Sequence, residues 1–218
     1  MTFAAGRGTE RPFPRLIAIT DLGRADAAET LARFERLASA ARPGTVMLQL
    51  RDRERSARER LELGRAMADL CRRTGQLLQV NDRLDLAVLL GADALHLGES
   101  GVDAADARRV VGTGVWLTRA CHDVTRVAEV DADGIVLSPI LAERKGRPAL
   151  GVAALQNARE RLVAAGARAV RVIALGGVEG EGVTACFSAG ADAVAVVGAG
   201  LGLEGLDALL DGAGFLRE

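Results

Sequence analysis

Short apolar runs alternate with longer amphipathic stretches along almost the whole chain. Eight runs predict strands: Leu16–Thr20, Val46–Leu50, Gln76–Val80, Ala94–Leu97, Val115–Thr118, Gly134–Leu137, Ala169–Leu175 and Ala193–Val197. They are nearly continuous in Val, Ile, Leu and Ala, as in strands buried on both faces of a parallel sheet. Between them, Ala27–Ala41, Ala57–Arg73 and Val152–Ala165 repeat apolar residues at three- and four-residue steps, the pattern of helices packed on one side. Parallel strands need crossovers of about a dozen residues, and the spacing supplies them. A weak echo marks the units: Ala92–Leu95, Ala132–Ile135 and Ala191–Val194 each place an Asp between small residues just before a strand. Such a triplet suits a tight helix-to-strand turn, so Asp93, Asp133 and Asp192 are expected to be structural. The alternation predicts an α/β architecture, a single (β/α)8 TIM barrel over residues 15–218, in preference to an open doubly wound sheet. Residues 1–14 contain Arg7, Glu10, Arg11 and Pro14 but no apolar segment, and read as a flexible N-terminal extension, not a signal peptide.

Composition narrows the function classes. The chain has 218 residues, 49 % hydrophobic and 26 % charged, enough for one full core. A formal net charge of -1, no tyrosine and no basic stripe with interleaved aromatics argue against a nucleic-acid partner. No apolar run approaches the ~20 residues that span a bilayer. The cysteines Cys71, Cys121 and Cys186 are odd in number and lack metal-type spacing, which favours free thiols in a reducing cytoplasm. Association into a homo-oligomer is left open.

In a barrel the residues just after each strand form the mouth where ligands bind. Here those residues are Thr20-Asp21, Gln49 to Arg53, Asn81-Asp82-Arg83, His96 to Glu99, Thr118 to His122, Ser138-Pro139 with a loop reaching Lys145, Gly176-Gly177 and Gly198-Ala199-Gly200. The polar residues thus gather at one end and the structural aspartates at the other. Gly176-Gly177 and Gly198-Ala199-Gly200 each follow an apolar strand and are expected to open a helix, so that backbone N–H groups cradle a phosphate. Gln49 and Arg51 share a strand face and suit a second anion, with Asp82 able to hold a divalent cation beside it. His96 lies within an apolar strand and is expected to be a hydrogen-bonded barrel residue. His122 stands better for proton transfer. Cys121 beside it is not expected to form a dyad, because adjacent side chains diverge.

These residues together resemble the thiamine phosphate synthases and the similar TenI-type thiazole tautomerases. The markers run from Leu16 to about Gly200: Ile19-Thr20-Asp21, Gln49-x-Arg51, Val80-Asn81-Asp82-Arg83 with Asp85-Leu86-Ala87, Gly91-Ala92-Asp93, His96-Leu97-Gly98, Ala174-Leu175-Gly176-Gly177, and Ala189 to Val197. The resemblance implies a TIM barrel at residues 15–218 that acts in thiamine biosynthesis. It implies a transferase that joins hydroxymethylpyrimidine diphosphate to a thiazole phosphate and releases pyrophosphate with Mg2+ present. By position, Gln49, Arg51, Asn81 and Lys145 would hold the diphosphate, with Arg53 a further substrate-binding residue, Asp82 the magnesium, and Gly176, Gly177, Gly198 and Ala199 the thiazole phosphate. Three positions depart from the synthase pattern: Arg53 replaces a lysine, Gly101 a second magnesium aspartate, and Ala120 a serine. Whether Glu99 or Asp103 replaces the missing ligand is not legible. The departures raise two alternatives, a metal-independent tautomerase with His122 as acid/base and a non-catalytic thiazole phosphate-binding relative; retained Asn81-Asp82 favours the synthase.

Overall fold

The computed structural model describes residue 9, residues 11–23 and residues 25–197. Eight strands close into one barrel in sequence order: β1 (Leu16–Ile19), β2 (Val46–Leu50), β3 (Leu77–Asn81), β4 (Ala94–Leu97), β5 (Trp116–Cys121), β6 (Gly134–Leu137), β7 (Arg171–Leu175) and β8 (Ala193–Val197). Every neighbouring pair is parallel, and β8 returns to β1 through Leu16↔Val194. The crossovers carry α1 (Ala27–Ala40), α2 (Ala57–Thr74), α3 (Leu84–Leu90), α4 (Ala104–Val111), α5 (Ala153–Ala164) and α6 (Glu181–Ser188). After β5 the crossover is only a 3₁₀ turn, Val124–Glu129. No helix of the described residues is long and apolar enough to cross a membrane.

The period-two alternation sorts each strand's residues into two cores. Outward positions such as Leu16, Leu48, Leu78, Leu95 and Val172 pack against the helices with Phe34, Met67 and Leu155. Inward positions Ile17, Ile19, Met47, Leu77, Ala94, Val136, Ile173, Ala193 and Ala195 fill the barrel. Local chemistry starts and stops the helices as expected. Asp26 caps α1 by accepting from Glu29 N at 2.7 Å, Ser56 and Glu59 form a capping box on α2, and Gly75 ends α2 in the left-handed conformation.

The structural aspartates do one job three times. The Asp93, Asp133 and Asp192 carboxylates accept from the Leu78, Leu117 and Val172 amides at 2.9, 2.7 and 2.7 Å, each on the strand preceding their own. Arg108 adds a 2.6 Å bond to Asp133, and Arg159 binds Asp192. This pins the N-terminal end of the barrel, opposite the mouth.

That end is also closed by the segment before β1. Phe13 meets Trp116 edge to face, ring centroids 5.3 Å apart and planes at 86°, and both pack on the barrel interior. Arg11 donates to Gln76 O at 3.3 Å and to Gly75 O, and Pro14 is buried. Within the extension expected over residues 1–14, Arg11, Phe13 and Pro14 thus cover apolar surface that an open barrel end would leave wet. Residues 1–8 and 10 lie outside the described residues.

Candidate functional site

At the C-terminal end of the strands the barrel opens into a cavity of ≈ 480 Å³. Gln49, Arg51, Arg53, Asn81, Asp82, His122, Lys145, Gly176 and Gly177, all singled out in the sequence, line it together. Gly198 and Ala199 lie outside the described residues.

One wall is cationic. Arg51 projects from the end of β2, its backbone locked to β1: Thr20 Oγ1 donates to Arg51 O at 2.6 Å and accepts from Arg51 N at 2.9 Å. Burial lowers the Arg51 pKa, and Arg53 and Arg144 lower it further against Asp82 and Asp21. Such crowding of like charge in a cavity favours an anionic ligand. Across the mouth, Arg144 and Arg147 exchange backbone hydrogen bonds at 3.0 Å. Between them Lys145 and Gly146 both have positive φ, 53° and 72°, a two-residue reversal that thrusts Lys145 toward the cavity it lines.

Asn81 ends β3, and Asp82 follows at φ 58°, a conformation that Asp tolerates better than most residues. Asp82 N donates to His96 O at 2.8 Å. Its Oδ1 accepts from Gly98 N at 2.8 Å and its Oδ2 from Asn81 Nδ2 at 2.7 Å. The carboxylate thereby ties the ends of β3 and β4 together while still facing the cavity. Arg53 Nη2 stands 3.6 Å from Oδ2. Gly101 lies beside it, since a Cβ there would sit 3.8 Å from Asp82 Oδ1. Glu99 is engaged elsewhere and Asp103, exposed at the start of α4, does not line the cavity. No group of three or more His, Cys, Asp or Glu among the described residues is placed to hold a metal ion. One carboxylate of this kind fits a magnesium ion held mainly by substrate oxygens, not an ion held by the protein alone.

The two histidines differ sharply. His122 Nδ1 lies 2.8 Å from Glu99 Oε2 at the cavity rim. Burial pushes the Glu99 carboxyl up, but the hydrogen bond and charge of His122, helped by Arg126, leave it below its ordinary value. His96 sits deeper, its Nδ1 2.9 Å from Thr118 Oγ1, and burial pushes its pKa down to about 4. It is a hydrogen-bonded barrel residue, as expected. The thiols are free and buried. Burial pushes Cys71 up to about 12 and Cys186 to about 11, and raises Cys121 as well, so none is a ready nucleophile.

Two expectations need correction. Gly176 and Gly177 do not open a helix, because α6 begins only at Glu181 after Gly180. Their φ values of 105° and 72° exclude most side chains. A Cβ would meet Pro139 Cα at 2.9 Å and Ala142 N at 2.8 Å respectively, since the loop after β6 lies directly on them through Leu141 N to Gly176 O at 2.8 Å. Any anion contact here relies on local backbone amides without a helix N-terminus. Arg119, expected at the mouth, belongs to β5 and turns outward: it donates to Gly98 O at 3.3 Å and Val102 O at 2.5 Å, bracing the loop that carries Glu99. The apolar run ends at Thr118 because Arg119 is charged, yet the strand itself continues to Cys121.

Asp21 lines the cavity as expected, and Arg144, Arg147 and Glu179, which were not foreseen, line it as well. The basic run around Lys145 was the available signal for the two arginines. Gln79 was missed as well, although Gln49 and Gln79 share one inward register.

A family model described as thiamine monophosphate synthase matches residues 16–199. The chain is 36 % identical over 175 residues to the thiamine-phosphate synthase of Parasynechococcus marenigrum (strain WH8102), covering 78 % of this chain and 48 % of that relative, about half its length. It is 34 % identical over 195 residues to the thiamine-phosphate synthase of Methanoculleus marisnigri, covering 86 % and 87 %. Among solved structures, thiamine phosphate pyrophosphorylase from Pyrococcus furiosus matches with a TM-score of 0.74 at 20 % identity, over 92 % of this chain and 95 % of that one. That likeness shows the same barrel.

Proposed function

The chain belongs to the thiamine monophosphate synthase family, and from that premise we propose that its cavity joins hydroxymethylpyrimidine diphosphate to a thiazole phosphate, forming thiamine phosphate and pyrophosphate. The observation that carries this reading is the convergence of Gln49, Arg51, Arg53, Asn81, Arg144, Lys145 and Arg147 on one cavity. A diphosphate leaving group demands that arrangement. As the C–O bond breaks, the electron pair moves onto the departing diphosphate, and fixed cations and amides stabilise that charge. The thiazole nitrogen then supplies the pair that forms the new C–N bond. Arg51 and Lys145 take the leaving anion, Gln49 and Asn81 orient it, and the backbone at Gly176 and Gly177 faces the thiazole phosphate, with Gly198 and Ala199 assigned there by the resemblance. Magnesium, when bound, would neutralise diphosphate charge, with Asp82 the residue that would hold it. A cytoplasmic setting fits the free thiols.

The test is direct. Purified protein with both phosphorylated substrates and Mg2+ should yield thiamine phosphate and stoichiometric pyrophosphate; no product at saturation would sink the assignment. The His122–Glu99 pair favours a second reading, a thiazole tautomerase in which His122 moves the proton. In that case aromatisation of the thiazole carboxylate phosphate should proceed in EDTA and be lost in His122→Ala, and unchanged turnover in that variant would reject it.

A further inference from the structure

Four polar side chains cross the apolar barrel interior as one hydrogen-bonded chain. Gln49 Nε2 donates to Gln79 Oε1 at 2.7 Å, Gln79 Nε2 donates to Thr118 Oγ1 at 2.9 Å, and Thr118 Oγ1 lies 2.9 Å from His96 Nδ1. Gln49, Gln79 and Thr118 are buried, among Ile19, Met47, Leu77, Ala94 and Val136. Polar groups in such surroundings must satisfy one another, and each bond constrains the next. Both ends of the chain, Gln49 and His96, line the cavity, whereas Gln79 and Thr118 do not.

We propose that this relay holds His96 as its Nε2–H tautomer, a neutral hydrogen-bond donor aimed at the substrate ring, and so makes it a specificity-determining residue. Counting protons leads there. Thr118 accepts from Gln79, so its own hydroxyl proton needs an acceptor, and His96 Nδ1 is the atom placed to take it. With Nδ1 accepting, the ring proton sits on Nε2. A doubly protonated ring would turn Nδ1 into a second donor to Thr118 and strand the hydroxyl proton in the apolar interior. His96 Nε2 has no partner among the described residues, so its N–H is available to whatever fills the cavity. The ligand chemistry it selects is a lone pair on a heteroaromatic ring, such as a pyrimidine nitrogen. A ring carrying N–H at that point would oppose donor to donor and be rejected. The identity of this ligand rests on the reaction proposed above; the tautomer does not.

The chain has two histidines, so 15N-histidine labelling gives two ring spin systems, which the spectrum of His122→Gln assigns. Long-range 1H–15N correlations of the full-length protein at pH 7.5 should show His96 protonated at Nε2 with a pyridine-type Nδ1. A proton at Nδ1, or an averaged ring, overturns the proposal whether or not the protein turns over. Thr118→Val should release the tautomer and raise KM for hydroxymethylpyrimidine diphosphate roughly tenfold, with kcat changed by less than roughly threefold; Thr118→Ser should keep both. His96→Gln, whose amide N–H stands in for Nε2–H, should keep KM near wild type, while His96→Leu should not. Equal KM in the Gln and Leu variants overturns the donor role. No synthase turnover at all sinks the proposed reaction and leaves the NMR result to decide the tautomer.

Discussion

Arg51 and Arg53 stand two residues apart and illustrate how little residue type alone says about a role. Arg51 is half-buried and held by the Thr20 bonds on its backbone, whereas the Arg53 side chain is 66 % exposed and reaches only to 3.6 Å from Asp82. Arg51→Lys keeps the charge but loses the planar fork that matches phosphate oxygens, so KM for the diphosphate substrate should rise by a factor of about ten with the fold intact. Steady-state kinetics with a matched thermal melt would check this; an unchanged KM would remove Arg51 from the diphosphate site. Gly101 offers the complementary gain. A Cβ there would meet Gly98 O at 3.1 Å and Asp82 Oδ1 at 3.8 Å, so Gly101→Asp needs only a small shift to set a second carboxylate beside the first. In the absence of substrate it should bind Mn2+ roughly tenfold more tightly than wild type, measured by electron paramagnetic resonance. Equal affinities would show that Asp82 is not oriented toward a shared ion. The place of Asp82 at the cavity was legible because Asn-Asp after an apolar run is unusual; its left-handed turn and its tie to Gly98 were not, since they depend on β4 lying alongside.

At the scale of elements, the strand positions were legible to within a few residues because both faces of each strand are apolar. β2, β4, β6 and β8 have the predicted bounds. β5 did not, running on to Cys121 through Arg119, since a run of apolar letters says nothing about a long side chain that folds back over its neighbour's loop. The Ala-Asp-small triplets marked strand entrances correctly, and the structure adds why: each Asp bonds the backbone of the preceding strand. Asp133→Ala would leave the Leu117 amide without its acceptor and Arg108 with only its bond to Val115 O. It should cost about 1.5–3 kcal/mol in urea unfolding while leaving the kinetics of the folded fraction unchanged, because the loss falls at the end away from the cavity. A kinetic defect of the same size as the stability loss would mean that the two ends communicate. Gly177→Ala tests the other end, where φ 72° and the 2.8 Å approach to Ala142 N leave no room. It should raise KM for the thiazole phosphate by displacing the loop after β6, read by the same assay.

For the molecule as a whole, His96 couples stability to acidity. Its folded pKa of about 4 lies below the ordinary 6.5, so between those values the unfolded chain binds the proton that the barrel refuses. Stability from this source is fully present above about pH 6.5 and is lost as pH falls toward 4. Between pH 7 and pH 5 wild type should lose about 1–2 kcal/mol more than His96→Gln, by urea midpoints at each pH. Parallel losses would show that the folded barrel takes up the His96 proton as readily as the unfolded chain does. The same separation of ends has a spectroscopic consequence. Trp116 is the chain's single tryptophan, and it sits against Phe13 at the closed end of the barrel, not among the residues lining the cavity. Its fluorescence should therefore stay constant while substrate saturates the mouth and change when the segment around Phe13 peels away, which makes intrinsic emission an optical gauge of the plug and a silent witness to turnover.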